Sequence, residues 1–393
     1  MKINRRIKNL VGSSTLAITA RAKELKAQGK DVVNFAGGEP DFDTPDFIKD
    51  AAIQALKAGA TKYTPSVGTL ELREAICKKF KRDNQLTYTP NQIVVSCGAK
   101  HALFNLIQVL ADEGDEVIMA APYWVSYPEM VKVAGATCKI VPTAVDRQLK
   151  IAPEQLKKAI SSKTRIFILN SPSNPTGVMY LKSELEKIAE ICVKHNIFVI
   201  SDEIYEKLIY RDEPHVSIAS FGKDIYNLTA TVNGVSKTFA MTGWRIGYLG
   251  VSQEVADYIK NFQDHSTSNP NTMSQSAAVA ALNASEASIQ TMRNEFKKRR
   301  DLMMSCLDEI PQISYIEPDG AFYTFCDISK LGEDSEAIAK QILNDVNVAI
   351  IPGDGFGAPG YARLSFSTST ERIKEGISRI ASWVKKKSAV MAA

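Results

Sequence analysis

The sequence predicts an α/β fold built on a largely parallel sheet, followed by a smaller α+β unit at the carboxyl end. Three observations carry that expectation. Short, continuously apolar runs alternate with amphipathic stretches over most of the chain, the pattern of strands covered on both faces by helices. After about residue 285 the alternation gives way to a long charged segment, EASIQTMRNEFKKRRDLMMSCLDEI. A length of 393 residues also suggests more than one domain.

The elements follow in order. Apolar Leu70, Leu72, Ala75, Ile76 and Phe80 recur near a helical period, predicting a helix over 69–82. Residues 92–96 read as a short buried strand, and Cys97-Gly98-Ala99 turns the chain into an apolar helix from His101. The next strand, 116–121, ends at Pro122. Strands at 164–171 and 197–202 flank an amphipathic stretch over 181–194, and two more strands are expected at 226–232 and 247–251. Beyond the long charged helix come a strand near 322–326, a helix near 335–344 and an apolar stretch over 346–352. The tail VKKKSAVMAA is expected to fray, its lysines forming a solvated end. The resulting division is an amino-terminal segment (1–45) packing with the small domain, a large domain (46–285) and a small domain (286–393).

Composition narrows the function. With 45% hydrophobic and 23% charged residues the chain is an ordinary globular one. Lys plus Arg exceeds Asp plus Glu by 48 to 44, a net +4 that offers no basic platform for nucleic acid. No apolar run reaches the ~20 residues of a membrane span, and the amino terminus lacks the apolar core of an export signal. The expected location is the cytoplasm. Six scattered cysteines without a C-x-x-C read as free or buried thiols, and four distant histidines give no zinc motif, so no metal is expected.

Several segments carry chemistry. Asp202 directly follows an apolar strand, at the sheet edge where open α/β folds bind ligands, although such an Asp also serves as a helix cap. Lys237 sits among small and apolar residues, where desolvation favours the neutral amine of Schiff-base chemistry; a structural role is the alternative. Ser236 and Arg245 stand near enough in sequence to clamp a phosphate together. The small-residue turn 96–101 opens a helix and can bind an anion through free backbone N–H groups. Asn174, in the turn 170–177, reads either as turn chemistry or as a partner for a polar ring; Trp124 reads as core or as a stacking face.

Taken together these motifs resemble the fold-type I pyridoxal-phosphate-dependent transferases, within the class I aspartate aminotransferase family and its bacterial branch that includes aspartate/prephenate aminotransferases. The likeness runs from about Ser13 to Ser382 on GGEPDFDTP (37–45), TKYTPSVGTLELREAI (61–76), PYWVSYPEM (122–130), NSPSNPTG (170–177), SDEIYE (201–206), SKTFAMTGWRIGY (236–248) and ARLSFSTS (362–369). The resemblance implies that Lys237 holds pyridoxal 5'-phosphate as a Schiff base and shuttles the substrate proton. Asp202 would pair with the pyridine nitrogen, Asn174 and Tyr205 with the ring oxygen, and Trp124 with the ring face. Gly98, Ala99, Ser236 and Arg245 would hold the phosphate, with Tyr63 from a neighbouring subunit. Arg363 and the Gly38 N–H would take the substrate α-carboxylate, and Lys100 the side-chain carboxylate. Two departures stand out: Val11 occupies the place where users of prephenate carry a lysine, and Ala99 stands where relatives often have a second glycine.

The expected activity is transfer of the amino group of L-aspartate to 2-oxoglutarate in a ping-pong cycle, by a homodimer with shared active sites. The partners are amino-acid and 2-oxo-acid substrates, with no nucleic acid and no membrane. Alternatives are an aminotransferase for aromatic amino acids, alanine or prephenate, a lyase using the same cofactor, and a regulator borrowing the fold. The last is disfavoured because no DNA-binding segment is appended.

Overall fold

A computed structural model of the chain describes residues 3–12, 14–332 and 334–392. Ser13, where the family likeness is expected to begin, lies outside them. The larger sheet has seven strands in the order 93–96, 247–250, 229–234, 198–202, 164–170, 116–121, 137–142. All are parallel except Gly247–Gly250, which runs antiparallel to both neighbours. The apolar runs explain why this sheet is buried on both sides. Side chains alternate along a strand, so Val117, Met119, Ile166, Ile168 and Ile200 join a core with Leu103 and Leu106 of the helix Ala99–Leu110. Ile118, Phe167, Leu169 and Val199 point the other way, onto Leu185, Ile188 and Cys192 of the helix Lys182–His195.

The smaller sheet is antiparallel, in the order 351–352, 361–365, 323–327, 314–316. The helices Ala287–Leu307 and Thr370–Ala392 cover it, contributing Phe296, Met303, Leu307, Ile373, Ile377 and Ile380 to one cluster. Tyr205 and Leu208, just past the end of a large-sheet strand, belong to that same cluster and tie the two halves together. Val33–Asn34 pairs in parallel with Val348–Ala349, fastening the amino-terminal segment to the carboxyl-terminal region.

Two expectations need correction. The strand foreseen at 226–232 begins later, at Thr229–Gly234, because Lys223–Asn227 forms a short helix capped by Gly222. Tyr226, read as the first strand residue, instead stacks on Tyr88 (5.0 Å, 27°) and donates to the Thr87 carbonyl. Among the described residues the tail is helical rather than frayed, the last helix running to Ala392. Trp383 and Val384 are buried in it, and Trp383 Nε1 donates to Asp345 at 2.9 Å. The apolar stretch 346–352 splits into Val348–Ala349 and Ile351–Pro352, which serve different sheets.

Candidate active site

The carboxyl edge of the large sheet gathers the expected residues. Asp202 and Asn170 end neighbouring strands and sit in register. Lys237 follows three residues after Thr229–Gly234, the next strand of the sheet. Asn170 organises the following turn: its Nδ2 donates to the Asp202 carbonyl (2.9 Å) and its Oδ1 accepts from Asn174 N–H (2.8 Å). That anchors the strand end and aims Asn174 into the cleft.

Asp202 is buried at 4% exposure. Its Oδ2 accepts from the Tyr127 hydroxyl at 2.6 Å and its Oδ1 from Ile204 N–H at 3.3 Å. Burial raises its pKa to about 6, opposed by the Tyr127 hydrogen bond and by the charge of Lys237. Tyr127 was not foreseen from the sequence. The available signal was its position three residues after Trp124, one helical turn on, where the two rings meet edge to face (5.3 Å, 82°). Behind Asp202, buried Glu203 accepts from the Ser201 and Ser217 hydroxyls, and Glu206 is paired with Lys79. Glu203, Glu206 and His215 are the group of ligand-type side chains that come together among the described residues. The Lys79 ammonium already neutralises Glu206 there.

The raised pKa of Asp202 has a consequence for stability. The folded state holds that proton more tightly than the unfolded chain, so the contribution of Asp202 to stability falls as pH rises from about 4 to about 6. Asp202→Asn removes the buried charge and is expected to stabilise the ligand-free protein at pH 7 by about 3 kcal/mol. Urea unfolding at pH 4.5 and pH 7 checks this. The advantage of the variant should widen across that interval; an equal advantage at both pH values contradicts the account.

Lys237 is half-buried, and its ammonium donates to the Gly38 carbonyl at 2.6 Å. Desolvation lowers its pKa to about 8. Glu39 and Asp202 oppose that, whereas Arg363 and Arg245 reinforce it. One amine thus feels both arginines, Asp202 and Glu39. Arg363 is 2% exposed. Its Nη1 donates to Asn174 Oδ1 (2.9 Å) and its Nη2 to the Ala36 carbonyl (3.1 Å), while Nε has no partner. No carboxylate pairs with this guanidinium among the described residues. A buried cation without an anion is costly, and here it is an opening for a substrate carboxylate.

The anion cradle is built from tight backbone approaches. Gly98 has φ +89° and precedes the helix Ala99–Leu110; a Cβ there would overlap the Arg245 guanidinium. Arg245 itself sits at φ 55°, its Nη1 on the Thr242 carbonyl (2.8 Å) and its Nη2 on the Cys97 carbonyl (3.2 Å). The helix starts at Ala99, and the first N–H groups of a helix lack intrahelical partners and suit an anion. Ala99 keeps its N–H, and a Cβ on Gly247 would overlap that backbone, so the close packing depends on the glycine at 247 rather than at 99. Ser236 is buried beside Lys237.

Trp124 is half-buried, with the Lys100 ammonium 4.8 Å from its ring centroid. Burial and Arg245 lower the Lys100 pKa. Tyr205 is buried, and its hydroxyl lies 3.0 Å from that of Tyr323, a second residue the sequence reading did not single out. Tyr63 is 93% exposed and stands apart from this cluster within the single chain. Gly38 joins the cluster through its carbonyl.

Known proteins resemble this chain over nearly its whole length. The model of the family "aminotransferase class I and II" matches residues 30–380. An aspartate aminotransferase of Bacillus sp. (strain YM-2) is 49% identical, covering 97% of this chain and 98% of the relative. One from Bacillus subtilis (strain 168) is 48% identical, covering 99% of this chain and 100% of the relative. The aspartate aminotransferase of Thermus thermophilus, solved with maleate, superposes with a TM-score of 0.94 at 42% identity, covering 97% of this chain and 99% of that one. A half-desolvated lysine and a buried carboxylate at the sheet edge, with an unpaired guanidinium opposite, therefore sit in a chain that belongs to the class I and II aminotransferases.

Proposed function

We propose that the protein is an aspartate aminotransferase that moves the amino group of L-aspartate to 2-oxoglutarate with pyridoxal 5'-phosphate. The observation that carries this reading is that Lys237 lies within electrostatic reach of both Asp202 and Arg363. The chain fits the cofactor on its own terms. Asp202 is a buried carboxylate whose raised pKa marks a missing cation, the role a protonated ring nitrogen fills. The glycine-lined turn at Gly98 with Arg245 is a cradle that a Cβ would close, suited to a phosphate. When bound, pyridoxal phosphate supplies an electron sink for the carbanion left when the substrate Cα loses its proton.

The residues around it have separate tasks. Lys237, with its pKa lowered to about 8, has a substantial neutral fraction near neutral pH and serves as covalent anchor and then as base and acid at the substrate Cα. Asp202 keeps the ring nitrogen protonated. Tyr205 and the Asn174 amide nitrogen donate to the ring oxygen; Asn174 Oδ1 is already committed to Arg363. Trp124 covers the ring face. Gly98, Ala99, Ser236 and Arg245 hold the phosphate. Arg363 and the Gly38 N–H take the α-carboxylate, and Lys100 the side-chain carboxylate.

The reading includes a cytoplasmic homodimer, with the segment 1–45 packing on the small domain 286–393 and the large domain 46–285 carrying the cofactor. Exposed Phe47, Ile53, Leu56, Tyr63 and Leu70 favour an interface on the 46–70 region. Light scattering should show a dimer. Tyr63→Phe should weaken phosphate retention by about tenfold, one lost charge-assisted hydrogen bond. A monomer with full activity would contradict the shared site.

The reaction is tested directly by its first half. L-aspartate added to the cofactor-loaded protein should shift the cofactor absorbance to that of pyridoxamine phosphate and release one oxaloacetate per site. 2-Oxoglutarate should then restore the starting spectrum. If aromatic amino acids or alanine drive the shift with higher kcat/KM than aspartate, the substrate assignment is wrong.

A further inference from the structure

We propose that Tyr323 is a positioning residue that links the guanidinium of Arg363 to the hydroxyl of Tyr205, so that a carboxylate arriving at Arg363 changes how strongly Tyr205 donates to the cofactor. The proposal rests on the pyridoxal-phosphate reading above. Its basis is strand geometry. Tyr323 lies opposite Ser365, and Phe325 opposite Arg363, on antiparallel neighbours. Opposed residues share a face and alternate residues return to it, so Tyr323 and Arg363 are diagonal neighbours on one face, within reach of an aromatic and a long side chain. The Arg363 guanidinium carbon sits 4.2 Å from the Tyr323 ring centroid.

At its other end the Tyr323 hydroxyl meets that of Tyr205 at 3.0 Å, with the rings edge to face at 5.8 Å. Both tyrosines are buried. A Cβ built on Gly38 would come within 3.7 Å of the same hydroxyl, and the Gly38 carbonyl receives the Lys237 ammonium. One side chain from the small sheet therefore touches the guanidinium of Arg363 and the hydroxyl of Tyr205, and its own hydroxyl lies near the loop that holds the lysine.

The direction of donation follows from charge. A phenol has one proton to give. Tyr323 carries a guanidinium on its ring, which makes it the stronger acid of the pair; burial raises both, and Arg363 offsets this most strongly at Tyr323. Tyr323 thus donates to the Tyr205 oxygen and leaves the Tyr205 proton for the cofactor's ring oxygen. Consecutive hydrogen bonds strengthen one another. A carboxylate on Arg363 withdraws part of that pull, weakens both donations and raises the pH at which the bound cofactor titrates. The other charged or titratable groups facing the pair are Glu39, Asp202, Lys237 and Tyr127; a Tyr323→Phe change leaves each in place.

The test is a spectrophotometric pH titration of the pyridoxal-phosphate-loaded wild type and Tyr323→Phe, with and without maleate as a non-reacting dicarboxylate. Tyr323→Phe should raise the spectroscopic pKa of the cofactor by about half a pH unit. The rise that maleate causes in the wild type should shrink to the share carried through Asn174, while the maleate Kd stays within about threefold because guanidinium and ring remain. In a Tyr205→Phe background, Tyr323→Phe should add nothing. Tyr205→Phe alone should also lessen the maleate effect, leaving the share that Arg363 passes through Asn174, which keeps the test open if the Tyr323 variant does not fold. An unchanged spectroscopic pKa with an unchanged maleate effect overturns the proposal, as do additive effects in the double variant. A wild type that takes up no pyridoxal phosphate overturns both this and the cofactor reading. Bound cofactor that titrates unchanged overturns this proposal alone.

Discussion

Lys237→Ala is expected to lower turnover with L-aspartate by about 10⁴-fold, the effect of removing the acid–base group at the substrate Cα. The structure makes this the largest single loss because, among the described residues, the cations that act on Lys237 include no second amine. Among the charged neighbours of Lys237, Arg363 and Arg245 carry guanidiniums rather than amines. Lys100 lies out over Trp124, 4.8 Å from its ring. The variant should still retain cofactor, since the Gly98–Arg245 cradle and Asp202 do not depend on the amine. Steady-state kinetics with a cofactor-occupancy measurement distinguishes the outcomes. A loss below tenfold at full occupancy would place the proton transfer elsewhere.

The second large effect is expected at Arg363. Arg363→Lys keeps a positive charge but loses the planar fork and its stacking on Tyr323 (4.2 Å) and Phe356 (5.4 Å). The Nη1 bond to Asn174 and the Nη2 bond to the Ala36 carbonyl fix the fork's orientation, so an ammonium at the end of a flexible stem cannot present two donors along the same line. Loss of one charge-assisted hydrogen bond and of the stacking predicts a fall in kcat/KM of about 10²- to 10³-fold, at least half of it in KM. Amino donors lacking the α-carboxylate should be indifferent to the change. An equal loss for such donors would show that Arg363 supports the fold rather than the substrate.

Much of this was legible in the sequence, for physical reasons that differ between elements. The strands at 116–121, 164–170 and 198–202 announced themselves because a sheet buried on both faces leaves no polar alternation, and the structure sends odd and even residues into two apolar cores. The boundary at 226 was misplaced because a five-residue helix opened by glycine and a strand start both read as a short mixed run. The tail was misread because its lysines outweighed Val384, whose burial next to Trp383 keeps the last helix packed.

At the site, Lys237 and Asp202 could be singled out from local chemistry, a lysine among small residues and an acid ending an apolar strand, whereas Arg363 entered only through the family resemblance carried by ARLSFSTS. Tyr127 and Tyr323 were missed because their importance is not local. Tyr127 matters through Asp202, 75 residues away, and Tyr323 through Tyr205, 118 residues away. An aromatic in a half-apolar segment is ordinary core until the fold shows what its hydroxyl meets.

The most direct test is chemical. The protein loaded with pyridoxal phosphate is reduced with borohydride, digested and examined by peptide mass spectrometry. The account predicts that the phosphopyridoxyl mass resides on the peptide containing Lys237 and on no other. A label carried by Lys100 or scattered over surface lysines, with Lys237 unmodified, would contradict it.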